Sequence, residues 1–213
     1  MRIGVLGAGR MGSAIGQRWA AAGHNVVFSY ARDPARLAAL ARAAGPCAHA
    51  GSVGEAVAAT DAILLAVPWR QAGDVFAQAG DLRGRVLLDC TLPMNADDSG
   101  LEIGLTMSGG ELLQRRSGAH VVKAFNTVPA EFIAAPHRAA GELPSLFHAG
   151  DDAAAKGVAA RLIADAGFEP VDAGPLSMAR YLEPFALLMG QIAYVQEASP
   201  EVGYRLVRLE GRW

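Results

Sequence analysis

The sequence predicts a doubly wound α/β fold with a mostly parallel sheet, and three observations carry that prediction. Short β-branched runs alternate with alanine-rich helical stretches from the first residue to about Gly174. The run Ile63-Leu64-Leu65-Ala66-Val67 is apolar without alternation, as a strand covered on both faces should be. A glycine-rich turn, Gly7-Ala8-Gly9-Arg10-Met11-Gly12, joins the first strand to the first helix.

Each element follows from local pattern. Arg2–Leu6, Asn25–Ser29, Asp61–Val67, Arg85–Asp89 and His120–Ala124 read as strands. Met11–Ala22, Pro34–Ala43, Val53–Ala58, Trp69–Ala79 and Gly110–Arg116 read as the helices between them. Past Phe125 the rhythm continues with a strand Ser145–Ala149, a helix Ala153–Ala166 and a strand Glu169–Asp172. A last helix, about Leu176–Gln196, carries Leu182, Phe185, Ala186, Met189 and Ile192–Ala193 at near-helical spacing, a stripe suited to core packing or to a dimer face. Ala135–Pro144, with two prolines and a glycine, is the best loop candidate. The expectation is one domain over residues 1–213, with a core at 1–125 and a C-terminal strand–helix extension at 126–213.

Composition narrows the function classes. A net charge of -2 gives no electrostatic reason to expect nucleic acid as a partner. No apolar run reaches the length of a membrane span, and the strand-like start at Met1 leaves no leader, so a cytoplasmic location is expected. Cys47 and Cys90 are isolated in apolar stretches and read as small thiols rather than a disulfide. No His/Cys cluster has metal-ligand spacing, and no G-x-S-x-G elbow occurs.

The glycine turn fits G-x-G-x-x-G in its required context, after a strand and opening a helix, which makes the fold Rossmann-type. Gly7 permits the tight turn, Gly9 lets the backbone approach a pyrophosphate, and Gly12 allows close helix–strand packing. The helix N-terminus offers free N–H groups and its positive dipole end to the phosphates. The second strand ends Ser29-Tyr30-Ala31-Arg32, without the acid that would hold an NAD ribose. Ser29 and Arg32 suit a 2′-phosphate, Tyr30 can stack near the adenine, and NADP(H) is favoured. Asp33, followed by Pro34, reads instead as a helix N-cap.

Ligands of an open parallel sheet sit beyond the carboxyl ends of its strands. Four segments are expected to meet there: Ala66-Val67-Pro68-Trp69, Asp89–Pro93, Lys123–Pro129 and Asp172–Leu176. None offers an acid–base pair, and the five histidines are scattered. Asn126 and Thr127 are the polar groups best placed to bind a substrate edge.

Ala66–Trp69, the run Val122–Pro129 and the run Asp172–Arg180, together with the glycine loop, resemble the NADPH-dependent F420 reductases (NADP oxidoreductases, coenzyme F420-dependent). The resemblance extends from Met1 to about Ala193, and the same domain resembles the oxidoreductase part of the STEAP metalloreductases. It implies that Gly7, Gly9, Arg10, Met11 and Gly12 line the pyrophosphate and that Ser29 and Arg32 hold the 2′-phosphate. It also implies that Val67, Pro68 and Trp69 approach the ribose or nicotinamide. Asn126–Pro129 and Leu176 would border the deazaflavin. This chain has Phe125-Asn126-Thr127 where the archaeal enzymes have Leu-His-Thr, and it inserts Tyr30-Ala31 between Ser29 and Arg32. The acceptor is thus expected to be coenzyme F420 or a flavin, and the assembly a homodimer.

A cleft without acid–base residues suits hydride transfer between stacked rings, which needs orientation and water exclusion more than a catalytic side chain. Two other readings stay open. One is a reductase of a small imine or hydroxy acid. The hydroxy acid type usually places Lys and Asn four apart on a helix, whereas Lys123 and Asn126 are three apart at a strand end, a spacing that sends side chains to opposite faces. The other is a non-catalytic NADP(H)-binding regulatory module.

Overall fold

The computed structural model describes residues 1–31, 33–58, 60–135, 143–196 and 199–208. The expectation for Arg32, and most of that for the loop Ala135–Pro144, falls outside the described residues. The strands are β1 (Arg2–Leu6), β2 (Asn25–Ser29), β3 (Ala48–Ala50), β4 (Ala62–Leu65), β5 (Val86–Asp89), β6 (His120–Lys123), β7 (Ser145–Gly150) and β8 (Glu169–Asp172). The α-helices are α1 (Arg10–Ala21), α2 (Pro34–Ala44), α3 (Val53–Val57), α4 (Ala72–Ala79), α5 (Gly109–Ser117), α6 (Ala130–Ala134), α7 (Ala153–Asp165) and α8 (Ala179–Gln191). β3 and α6 are additions to the sequence reading. Each is too short, at three and five residues, to show a period. The long last helix is divided: a 3₁₀ turn at Leu176–Met178 precedes α8, and π-helix at Ile192–Gln196 follows it.

The strands form one sheet in the order β3-β2-β1-β4-β5-β6-β7-β8. Every pairing is parallel except β6 with β7, which is antiparallel. The six-strand order 3-2-1-4-5-6 is the Rossmann arrangement that the alternation predicts. Neighbouring residues in the central strands feed different layers. Leu64 and Leu88 pack into one apolar cluster, and Ile63, Leu65 and Leu87 into the other. With helices over both faces, no face of these strands needs a polar residue. On one side Trp19 of α1 is fully buried, donates its indole N–H to the Leu162 carbonyl at 2.8 Å and meets Phe125 edge-on at 5.7 Å. That bond satisfies the one polar atom of a large apolar side chain and ties α1 to α7.

Four helices start on side-chain caps: Asp33 for α2, Ser52 for α3, Ser108 for α5 and Asp152 for α7. Ser52 with Glu55 and Ser108 with Glu111 are reciprocal capping boxes. Among the described residues no helix is long and apolar enough to cross a membrane.

Direction reverses at β7, and this places the C-terminal extension. Because β8 runs parallel to β7, its carboxyl end points away from those of β1 to β6. The segment Asp172–Leu176 therefore does not join the other three strand ends, contrary to expectation. Leu176 is fully buried in the apolar cluster against Gly110 and does not border the cleft. The chain instead returns through α8. Leu182, Ala186, Met189 and Ala193 of its stripe are buried, while Tyr181, Leu188 and Val195 are exposed on the opposite side.

α8 is anchored by charge. The Lys123 ammonium has no exposed surface and lies 2.9 Å from Asp89 Oδ2, 2.9 Å from Glu183 Oε1 and 2.5 Å from the Thr91 carbonyl. Glu183 also accepts from the Gly109 and Gly110 amides at the start of α5, at 3.0 and 3.2 Å. Burial works against the charged lysine, but the two carboxylates outweigh it and hold the pKa above the ordinary lysine value. The cluster carries one excess negative charge, and the positive end of α5 faces it. A second tie joins Arg180 to Glu111 through two bonds of 2.8 and 2.6 Å. The guanidinium holds the Glu111 carboxyl at about 2.

Removing the lysine leaves two buried carboxylates facing each other. Lys123→Met should cost about 3–5 kcal/mol in urea unfolding, the scale of an unpaired buried charge. A loss under about 1 kcal/mol would contradict the charged assignment. The Glu111 pKa is depressed on folding, so its stabilisation is complete above about 4.5 and lost as the pH falls toward about 2. Glu111→Gln, which retains a capping-box residue, should unfold at a lower temperature than the parent above pH 4.5 and converge with it near pH 2.

Candidate dinucleotide and acceptor cleft

The three loop glycines have three different reasons to lack a side chain. Gly7 has φ +115°, and a Cβ there would lie 2.4 Å from the Ala66 carbonyl oxygen. A Cβ on Gly12 would lie 1.9 Å from the Gly7 carbonyl oxygen, so α1 can pack on the loop only with glycine at that position. A Cβ on Gly9 meets nothing within 4 Å, because it would project into the open cleft. The loop is pinned by its own amides, since Gly7 N donates to the Ser29 carbonyl and Ala8 N to the Tyr30 carbonyl. α1, whose N-cap is Gly9, has no side-chain cap and no acid in its first turn. An uncapped, positive helix end beside the side-chain-free Gly9 fits a dinucleotide pyrophosphate.

Three cavities run from this point across the carboxyl ends of the strands. The first, about 300 Å³, lies between the loop and the end of β2 and is lined by Gly7–Gly9, Tyr30, Ala31, Asp33, Arg36 and Ala66–Pro68. The second, about 600 Å³, extends from Gly9, Arg10 and Met11 along Ala66–Gln71 to Cys90, Thr91 and Leu92. The third, about 180 Å³, lies against α8 and is lined by Asn126–Pro129, Ala186, Met189, Gly190 and Tyr194. Met11, Cys90 and Leu92 line both the second and the third.

Most of the expected residues converge here. Gly7, Ala8, Gly9, Arg10, Met11, Tyr30, Ala66, Val67, Pro68, Trp69, Asn126, Thr127 and Pro129 all line one of the three cavities. Tyr30 has φ +57° and donates its hydroxyl to Asp74 across the end of the first cavity at 2.7 Å. Arg10 leaves the loop toward Glu131 and the Tyr194 hydroxyl, 3.1 Å away.

Two polar assignments need correction alongside Leu176. Ser29 is fully buried and donates its hydroxyl to the Val5 carbonyl at 3.0 Å, so its side chain does not face a phosphate. It occupies the last strand position, where the period of two turns it into the core. Thr127 is also fully buried, and its hydroxyl is paired with that of Tyr204 at 2.6 Å. Asn126 does present a free oxygen. Its amide nitrogen donates to the Leu182 carbonyl at 3.1 Å, while Oδ1 has no partner. The expectation that Lys123 and Asn126 point to opposite faces fails too, because both reach adjoining residues of α8. Strand β6 stops at Lys123, and Phe125 turns the chain with φ +65°, a conformation that a bulky residue rarely adopts.

Arg36 and Glu183 went unnoticed in the sequence, while Cys90 and Thr91 were expected at the cleft only as part of the segment Asp89–Pro93. Arg36 is one turn into α2, and only the fold brings it to the first cavity. Cys90 is buried with its thiol on the Leu65 carbonyl, and burial pushes its pKa up to about 12. Glu183 carried a usable signal, a carboxylate inside an apolar helical stripe, as did Asp89 and Lys123 at the ends of apolar strands.

Comparison with known proteins agrees with this geometry. The NADP oxidoreductase, coenzyme F420-dependent, family pattern matches residues 2–93. A Sinorhizobium meliloti protein of solved structure, SMa0349, is 30% identical, with 83% of this chain and 86% of that one aligned and a TM-score of 0.75. The chain belongs to the F420-dependent NADP oxidoreductase family. A candidate F420-dependent NADP reductase from Arthrobacter sp. FB24 shares 29% identity over 98% of this chain and all of its own, at a TM-score of 0.83. The rat metalloreductase STEAP3 is 28% identical over 187 residues, 87% of this chain, and the chain spans 36% of that protein's length. The family is one of NADP-dependent oxidoreductases.

The glycine geometry separates binding from folding. Gly9→Val should leave the thermal unfolding midpoint within a few degrees of the parent yet abolish dinucleotide binding in a fluorescence titration. Gly12→Ala should lower stability by at least about 1–3 kcal/mol, because its methyl meets backbone rather than a yielding side chain. Undiminished binding by Gly9→Val would reduce the loop to a turn.

Proposed function

We propose that this oxidoreductase exchanges reducing equivalents between NADP(H), held along the first two cavities, and a flavin-like or F420-type deazaflavin ring held in the third. The observation that carries this reading is the continuity of the cleft: an uncapped α1 lies at its centre, and the two further cavities share Met11, Cys90 and Leu92 as a common wall. When bound, NADPH would supply a hydride, two electrons with one hydrogen, and one proton from solvent would complete the reduction of the acceptor. The residues themselves bind, orient and exclude water. The α1 amides would hold the pyrophosphate, while the Arg10 guanidinium, paired with Glu131 and Tyr194, ties the loop end of α1 to the wall of the third cavity. Arg36, with Arg32 from the sequence reading, supplies cationic charge for a 2′-phosphate, and Tyr30 borders the adenine. Val128, Pro129, Ala186 and Met189 form an apolar wall against which a planar ring can stack. The exposed face of α8 and of the π-helical turn after it, with Tyr181, Leu188 and Val195, supports the expected homodimer.

NADPH should bind at least about tenfold more tightly than NADH, which one charge-assisted contact of roughly 1.5–3 kcal/mol supplies. Arg36→Ala should reduce that preference in side-by-side titrations, and equal wild-type affinities would overturn the cofactor assignment. The acceptor is tested by offering F420, FMN and FAD separately and following NADPH oxidation. Turnover with none of them would refute the flavin-like assignment.

A further inference from the structure

Among the described residues three buried side-chain polar atoms lack a hydrogen-bond partner: Thr91 Oγ1, Asn126 Oδ1 and His148 Nδ1. Thr91 and Asn126 line the cleft, while His148 lies on β7 away from it. An unsatisfied buried polar atom is costly, and two of them on adjoining strand ends in one cleft point to a ligand that completes them.

The chemistry of each atom is fixed by its surroundings. The Leu182 carbonyl can only accept, so it holds the Asn126 amide nitrogen and leaves Oδ1 as a buried, unpartnered acceptor in a residue that lines the third cavity. Asn126 is 8% exposed. Thr91 is 3% exposed, and its backbone is held at both ends, the N–H by Asp89 Oδ1 at 2.8 Å and the carbonyl by Lys123. Its hydroxyl is buried without a partner in a residue that lines the second cavity, and it can donate. The boundary between the two cavities is otherwise Met11, Cys90 and Leu92, which are apolar or, for the thiol, already bonded. A group placed at that boundary therefore needs one N–H donor and one carbonyl acceptor on a compact, neutral unit. A primary carboxamide has that pattern.

We infer that Asn126 Oδ1 and Thr91 Oγ1 together read the carboxamide of the nicotinamide, with Asn126 accepting from its NH₂ and Thr91 donating to its carbonyl. This rests on the dinucleotide reading above and gives Asn126 a different task from the one expected of it, which was to bind the acceptor. Fixing both ends of the carboxamide fixes the rotation of the ring, and with it the ring face that the third cavity receives. The buried Lys123–Asp89–Glu183 cluster serves this pair from behind. It holds the Thr91 backbone directly and the α8 turn that carries the Leu182 carbonyl through Glu183.

The test compares NADPH with its reduced 3-acetylpyridine analogue, in which a methyl ketone replaces the carboxamide. The carbonyl is retained and the donor lost. Equilibrium binding to the wild-type protein, followed by fluorescence without any acceptor, should favour NADPH about tenfold, the effect of leaving one buried acceptor unpaired. Asn126→Leu, similar in shape but without the oxygen, should bind the two dinucleotides equally. Thr91→Val should weaken both by a similar factor and keep their ratio. Equal wild-type affinities for the two dinucleotides would overturn the inference without any variant being needed. So would an Asn126→Leu protein that still discriminates, which would return Asn126 to the acceptor. Failure of the wild type to bind NADPH at all would instead refute the dinucleotide reading, and this inference with it.

Discussion

An ammonium with no exposed surface must be surrounded by acceptors, and the way Lys123 meets that demand fixes much of the molecule. One carboxylate comes from the neighbouring strand and the other from a helix that reaches the site only after the sheet has reversed direction. A well-packed apolar cluster could match the stability of such a group. It would not match its directionality, because apolar surfaces tolerate sliding while a carboxylate shared between an ammonium and two amides accepts one position. With Glu183 held by Lys123, Gly109 and Gly110, the adjoining turn of α8 has little freedom, and the cavity wall formed by Ala186 and Met189 follows from it.

The cleft divides its labour between backbone and side chains. At the loop end the work falls to backbone: a left-handed glycine, an absent Cβ and an uncapped helix end. At the α8 end it falls to apolar side chains and to a few polar atoms whose other bonds are already committed. Among the described residues no acid–base pair stands at the boundary between the second and third cavities. This is consistent with a reaction in which the cofactor carries the chemistry and the protein supplies position.

Features governed by neighbouring residues were legible in the sequence. The glycine spacing, the Asp33-Pro34 helix start and the apolar run of β4 each obey a local rule, and each stands in the structure as read. The capping boxes at Ser52 and Ser108 obey one too, and they mark helix starts that periodicity alone placed a residue late for α5. What could not be read depends on partners distant in sequence. Ser29 looked like a phosphate ligand because strand-end serines often are, but its side chain turns inward to Val5. Leu176 was assigned to the cleft on the assumption that β8 runs with the rest of the sheet, and no local pattern encodes the antiparallel pairing of β6 with β7. The left-handed Phe125 was equally invisible, because its own propensity does not favour that conformation and its ring contact, Trp19, is distant in sequence.

The raised pKa of Cys90 has a practical side. Its sulfur stands at the meeting point of two cavities, yet burial keeps it a thiol at neutral pH, and the thiolate is the reactive form. Alkylating reagents and mild oxidants are thereby directed away from the cleft to the half-buried Cys47, which sits just before β3 on the far edge of the sheet. A single dye attached there would leave the binding surfaces untouched and would report on the molecule from a fixed outer strand.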